Sequence, residues 1–169
     1  MNVKSLRLYS LLPFITTVLM LAYGYYEQYV NFLDPCPLCL VQRFIILLIG
    51  VLYLITFIHP PKNLFRKIFA VIIGLVTIAG MAVSGRHVWL QNLPADEVPA
   101  CGPGLSYMLE NFPIGSVFKD LFTGSGECAE ISWRFLGLTM PMWTMICFIG
   151  FLLYTIIWAQ LKNEQHNHE

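Results

Sequence analysis

Four runs of apolar residues dominate the sequence, at about 9–26, 40–59, 68–84 and 141–160. Each is close to the roughly 20 residues that a helix needs to cross the hydrocarbon core of a bilayer. Hydrocarbon offers no water to the peptide groups, so such a run must satisfy its own hydrogen bonds, as a helix does. Composition agrees, with 57 % hydrophobic and 12 % charged residues where a soluble domain is about a quarter charged. The sequence therefore predicts an all-α membrane protein, a four-transmembrane-helix bundle forming a single integral membrane domain over 1–169. Ten basic and ten acidic residues cancel, which gives nucleic acid or any other polyanion no charge to hold.

The first run follows Lys4 and Arg7 and carries Ala22 and Gly24 near its end, a pattern that a signal peptide shares. The second run follows so soon that a retained helix is expected. Pro60 and Pro61 stop the second helix, because a proline inside a helix removes a hydrogen bond. Basic residues then set the orientation. The head has two, the 60–67 turn has Lys62, Arg66 and Lys67, the tail has Lys162, and the 27–39 loop has none. Both termini should face the cytoplasm, and the loops at about 27–39 and 85–140 should lie on the opposite side. In the longer loop, Leu105, Met108, Leu109 and Phe112 recur at helical spacing, followed by Val117, Phe118, Leu121 and Phe122. They suit either a short helix lying on the membrane surface or a small core beneath the loop. Tyr23, Tyr25, Tyr26, Tyr29, Trp89, Trp133, Trp143 and Trp158 fall near the ends of the runs, where aromatic side chains anchor a protein at the interface.

Of the five cysteines, Cys36, Cys39, Cys101 and Cys128 lie in the two outward loops and Cys147 lies in the fourth run. Outside the cytoplasm disulfides persist, so charge bias and cysteine placement point the same way. A Cys-x-x-Cys pair suits either a small reactive disulfide or half of a tetrahedral zinc site. Cys101 and Cys128 could complete the zinc set, but structural zinc ligands usually come as two close pairs and these are far apart in sequence. Purely structural disulfides are a further possibility.

Redox chemistry accounts for more of the pattern. Thiol–disulfide exchange proceeds by thiolate attack through a mixed disulfide, so disulfides in two loops on one membrane face can pass oxidising equivalents between them. Pro37 fixes its own backbone angle and restricts Cys36. Cys39 opens a helix, where the dipole and the unpaired N–H groups stabilise a thiolate. Arg43 follows four residues later on the same helix face, a permanent cation suited to that thiolate and to a bound electron acceptor, or else simply snorkelling to the interface. No dinucleotide, flavin, haem or iron–sulfur pattern is evident. A lipid-soluble quinone fits the setting.

The segment Pro35-Cys36-Pro37-Leu38-Cys39-Leu40-Val41-Gln42-Arg43 resembles the active loop of the disulfide bond formation protein B (DsbB) family. The resemblance continues through Gly85-Arg86-His87-Val88-Trp89-Leu90-Gln91, through Gly124-Ser125-Gly126-Glu127-Cys128-Ala129-Glu130, and through Trp133 and Phe135-Leu136-Gly137-Leu138-Thr139-Met140-Pro141. It implies a protein-disulfide:quinone oxidoreductase of the bacterial inner membrane with periplasmic cysteine loops. The implied partner is a soluble, DsbA-like thioredoxin-fold oxidase, and the implied cofactor is ubiquinone or menaquinone. The resemblance also implies a Cys101–Cys128 disulfide, a mixed disulfide of the partner at Cys101, attack of Cys128 on Cys36, and release of Cys39 beside the quinone. Arg43 and His87 match cofactor-site positions; an interfacial histidine is the plainer account of His87.

Cys147 fits no part of that scheme and is expected to be a buried thiol packing as a small hydrophobe. Met140, Met142 and Met145 would suit a soft metal, but Met140-Pro141 already belongs to the resemblance. His166 and His168 lie in a polar tail and should be solvated. Two rivals stay in view. A vitamin K epoxide reductase-like protein shares the helix number, but its reactive pair comes late in the helix order. The other is a non-enzymatic membrane assembly or metal-binding protein whose cysteines only staple loops.

Overall fold

The computed structural model describes residues 3–94, 96–99, 115, 124 and 126–160. Among them are four helices long and apolar enough to cross a membrane: α1 (Val3–Val30), α2 (Pro37–Ile58), α3 (Asn63–Leu90) and α4 (Met140–Gln160). Packing joins α1 to α2, α2 to α3, and α3 to α4. Ile45, Ile49 and Tyr53 of α2, Ile73 of α3 and Phe148 and Phe151 of α4 meet in the core. The outer faces are apolar too: Leu19, Phe44, Val71, Leu75, Leu153 and Ile157 all point away from the bundle. An apolar surface that wide is a liability in water and a requirement in lipid.

Helix α3 extends beyond the apolar run at both ends, from Asn63 rather than Ile68 and to Leu90 rather than Ser84. Nothing after Ser84 breaks a helix before Gln91. Arg86 lies over the Trp89 ring, 4.2 Å from its centroid, so a charged residue joins the helix without entering the core. His87 thus belongs to the last turn of a helix and not to a loop.

Between α3 and α4 the described residues include a short 3-10 helix, Gly126–Ala129, and a hairpin of β1 (Arg134–Phe135) and β2 (Leu138–Thr139). The hairpin adds a strand pair to the all-helical expectation. Its two-residue turn holds Leu136 at φ 50° and Gly137 at φ 80°, the left-handed pair whose twist matches paired strands. Thr139 Oγ1 donates to Gln91 Oε1 at 2.8 Å, and Trp143 Nε1 donates to the Phe135 carbonyl at 3.1 Å. The hairpin is thereby fixed to α3 and α4. Apart from residue 115, the stretch expected to be an interfacial helix or small core, Leu105 to Phe122, lies outside the described residues, as do Cys101, His166 and His168.

Pro13 sits inside α1. It has no N–H, so the carbonyl of Tyr9, four residues earlier, has no helical donor. In lipid that carbonyl needs another, and Tyr154 of α4 supplies it, donating Oη–H to Tyr9 O at 2.6 Å. This bond closes the bundle between its first and last helices. Tyr154→Phe is therefore expected to cost about 1 kcal/mol, read as the unfolding midpoint in mixed detergent micelles. In a Pro13→Ala background the cost should shrink, because the new amide serves Tyr9. Equal costs in both backgrounds would refute this account.

Candidate active site

Pro37 is the first residue of α2, where a missing N–H costs no hydrogen bond. It holds Cys36 in the extended region, at φ −65° and ψ 163°, as the residue before a proline requires. That geometry makes Cys36 the helix cap, and Cys39 N–H donates to its Sγ at 3.4 Å. The two sulfurs lie 3.0 Å apart. One proline thus both starts the helix and sets the sulfur pair at its end.

A third sulfur comes from the opposite side. Cys128, on the 3-10 helix, is fully buried. Gly124, just before that helix, has φ 78°, and a Cβ there would fall 2.5 Å from Leu90 and 3.0 Å from Leu38. Only glycine lets the chain press against the ends of α2 and α3, and this brings Cys128 in. Its Sγ, Cys36 Sγ and a ring nitrogen of His87 all lie within 4.8 Å of one another. The neighbouring Cys128, then Cys39, then burial push the Cys36 thiol well above the usual thiol range. Cys36 is therefore the sulfur in reach of both others. Cys101 lies outside the described residues, so its pairing with Cys128 rests on the resemblance alone.

His87 projects from the last turn of α3 with Nε2 3.6 Å from Cys36 Sγ. Its Nδ1 lies 3.2 Å from Gln42 Nε2. Gln42 is one turn after Cys39 and buried. Sequence reasoning passed over it, although a glutamine within an apolar helical run is itself a signal.

Arg43 binds across to α1. Its Nη2 donates to the Gly24 carbonyl at 2.8 Å and its Nη1 to Gln28 Oε1 at 2.5 Å, with the guanidinium 5.2 Å from the centroid of Tyr25. So anchored, Arg43 lines a cleft of about 590 Å3 between α1, α2, α4 and the hairpin. Cys39 and Gln42 share that wall, while Tyr23, Trp133, Phe135 and Trp143 form the aromatic part. Neighbouring rings pack edge to face, stacked and tilted, with centroids 6.1 Å apart in each pair. The sequence marks Tyr23 and Trp143 only as interfacial anchors, and Trp133 also as part of the resemblance; their convergence on one cleft depends on the hairpin. Cys147 packs against the core and also lines the cleft, half-buried. His87 does not line it; with Cys36, Cys39 and Arg43 it borders a separate cavity of about 80 Å3.

This arrangement is suited to sulfur exchange, with a cleft beside one end of the sulfur row. Comparison with known proteins agrees. The family model described as disulfide bond formation protein DsbB matches residues 6–158. The chain is 49 % identical to disulfide bond formation protein B of Nitrosococcus oceani, over 91 % of this chain and 90 % of that protein. It is 47 % identical to the Hahella chejuensis protein of the same name, covering 88 % of each. For the Methylococcus capsulatus one the identity is 43 %, over 93 % of this chain and 96 % of that protein. The chain belongs to the disulfide bond formation protein B family, and is a multi-pass membrane protein with a disulfide-forming oxidoreductase role.

Proposed function

We propose that the protein reoxidises a DsbA-like thioredoxin-fold oxidase and passes the electrons to a membrane quinone, ubiquinone or menaquinone. The observation that carries this reading is the position of Cys36, with Cys39 Sγ 3.0 Å away at the cleft and Cys128 within 4.8 Å on the loop side. The setting is the bacterial inner membrane, with both termini cytoplasmic and the cysteine loops periplasmic, as the basic residues of the 60–67 turn favour.

The two thiols of the reduced partner become a disulfide while Cys101–Cys128 is opened, Cys101 first taking the mixed disulfide. The Cys128 thiolate then attacks Cys36, re-forming a bond to one sulfur as it displaces Cys39. The partner's second thiol displaces Cys101, and the freed Cys101 attacks Cys128 and displaces Cys36, which leaves Cys36 and Cys39 reduced. When bound, a quinone supplies a sink for two electrons and two protons. The cleft fits such a head group, being within the usual range for small-molecule pockets, mostly apolar, and bordered by Leu19 on the outer face of α1, which gives access from lipid. Arg43 holds a permanent positive charge there, oriented by Gly24 and Gln28. The resemblance assigns His87 to the cofactor site. Its Nε2 lies 3.6 Å from Cys36 Sγ, so it also has a polar contact with the sulfur at the centre of the exchange.

With a reduced thioredoxin-fold partner and quinone, Cys36→Ala and Cys39→Ala should each abolish quinol formation, followed by absorbance; normal turnover in either variant would sink the relay. Arg43→Met should raise KM for quinone about ten-fold, the equivalent of roughly 1.4 kcal/mol, while KM for the partner stays within two-fold. Cys128→Ala removes the first cause of the raised Cys36 pKa. Cys36 should then become thiolate at lower pH, and the midpoint of its alkylation-rate profile, measured in a Cys39→Ala background, should move down. An unmoved midpoint would assign the effect to burial.

A further inference from the structure

We propose that the reduced form of the sulfur junction binds a thiophilic divalent cation, zinc foremost, through Cys36, Cys128 and His87, and that the bound ion blocks reoxidation. The binding rests on geometry alone; the block rests on the relay proposed above. In sequence, the cysteines do not fall into two close-spaced ligand pairs. The fold instead brings ligands from three elements: the cap of α2, the last turn of α3 and the 3-10 helix.

The distances suit the ion. With Zn–S near 2.3 Å and Zn–N near 2.05 Å, a tetrahedral site has a sulfur-to-nitrogen edge of about 3.6 Å. Cys36 Sγ and His87 Nε2 stand 3.6 Å apart, and the three ligand atoms all lie within 4.8 Å of one another. With three protein ligands, water fills the fourth tetrahedral position; Cys39 Sγ lies beside the site, 3.0 Å from Cys36 Sγ. The outer contacts suit it as well. A metal-binding histidine donates its other ring N–H to an acceptor. Gln42 lies 3.2 Å from His87 Nδ1, and turning its amide over presents the oxygen there.

An approach path is also present. The cavity of about 80 Å3 beside Cys36, Cys39 and His87 is bordered by Glu27, Asp34, Glu127 and Glu130, with Arg43 the one side chain of fixed positive charge among the described residues. Four carboxylates around so small a space concentrate cations at its mouth. Binding exchanges the thiol protons of the ligating cysteines for the ion and moves no electrons. The oxidised chain, with Cys36 and Cys39 in a disulfide, lacks those thiolates. A bound ion holds the lone pairs of Cys36 and Cys128 that sulfur exchange requires.

The test uses full-length protein in detergent, reduced and desalted without oxygen, with zinc titrated against a chromophoric chelator and cobalt as a spectroscopic probe. One zinc per reduced chain is expected, together with sulfur-to-cobalt charge-transfer absorption. Oxidised protein should bind at least 100-fold more weakly. Cys36→Ser, Cys128→Ser and His87→Ala should each weaken zinc binding at least ten-fold, and His87→Cys should restore it, which separates a lost ligand from a lost fold. Removal of 161–169, with its two histidines, should leave the affinity unchanged. Saturating zinc should slow turnover at least ten-fold, reversibly with chelator. Equal affinity in oxidised and reduced protein, or undiminished binding in Cys128→Ser or His87→Ala, would overturn the site. Binding as described without slowed turnover would overturn the block. A chain that turns over as proposed but binds no zinc refutes this inference and leaves the relay standing. Zinc binding with the stated variant dependence in a chain that never reduces quinone does the reverse.

Discussion

A peptide group in hydrocarbon has no solvent to turn to, and this constraint organises the whole molecule. It forces the four apolar runs into helices. It also makes each irregularity in those helices expensive unless another helix corrects it. Pro13 opens a gap in α1, and the hydroxyl of Tyr154 fills it. Thr16, Thr17, Thr77 and Thr155 return their hydroxyls to carbonyls of their own helices. Tyr53 and Thr155 pair with each other inside the bundle, 2.8 Å apart. Polar chemistry that must stay reactive therefore has to sit where helices end, and the sulfur pair does.

At that end, local backbone rules and reaction geometry coincide. The angle that Pro37 imposes on Cys36 is the angle a helix cap needs, and a cap directs its side chain toward the first turn. Cys39 is in the first turn. The short separation of the sulfurs thus follows from ordinary helix initiation, without backbone strain. The longer-range parts, Cys128 and His87, depend on packing at the far end of α3. There Leu90 and Leu38 lie so close to Gly124 that no side chain fits between them.

The helices and the reactive pair were readable from sequence because each depends on neighbours along the chain. Hydropathy over some twenty residues marks a span, and the i, i+4 relation of Cys39 and Arg43 brings both to the cleft. Helix ends were less readable. Helix α3 continues past Ser84 because the end of the apolar run is not a stop signal, and only Gln91 onward breaks the pattern. The hairpin was missed because its strands have two residues each, too few for alternation to register. The contact of Cys36 with His87 spans 51 positions and arises from the packing of α2 on α3. Likewise, nothing near Arg43 in sequence points to Gly24 and Gln28 as its partners.

The position of Cys36 between two other sulfurs has a kinetic consequence. A sulfur forms one disulfide at a time, so Cys36 acts as a turnstile: while joined to Cys128 it cannot be joined to Cys39. Under the proposed relay the two half-reactions exclude each other in time as well as in space. Electrons cross one pair at a time, and a second pair reaches Cys36 only after Cys36 and Cys39 have been rejoined. Throughput is then governed by occupancy of a single atom, and improving either half-reaction alone would move the queue to its other side.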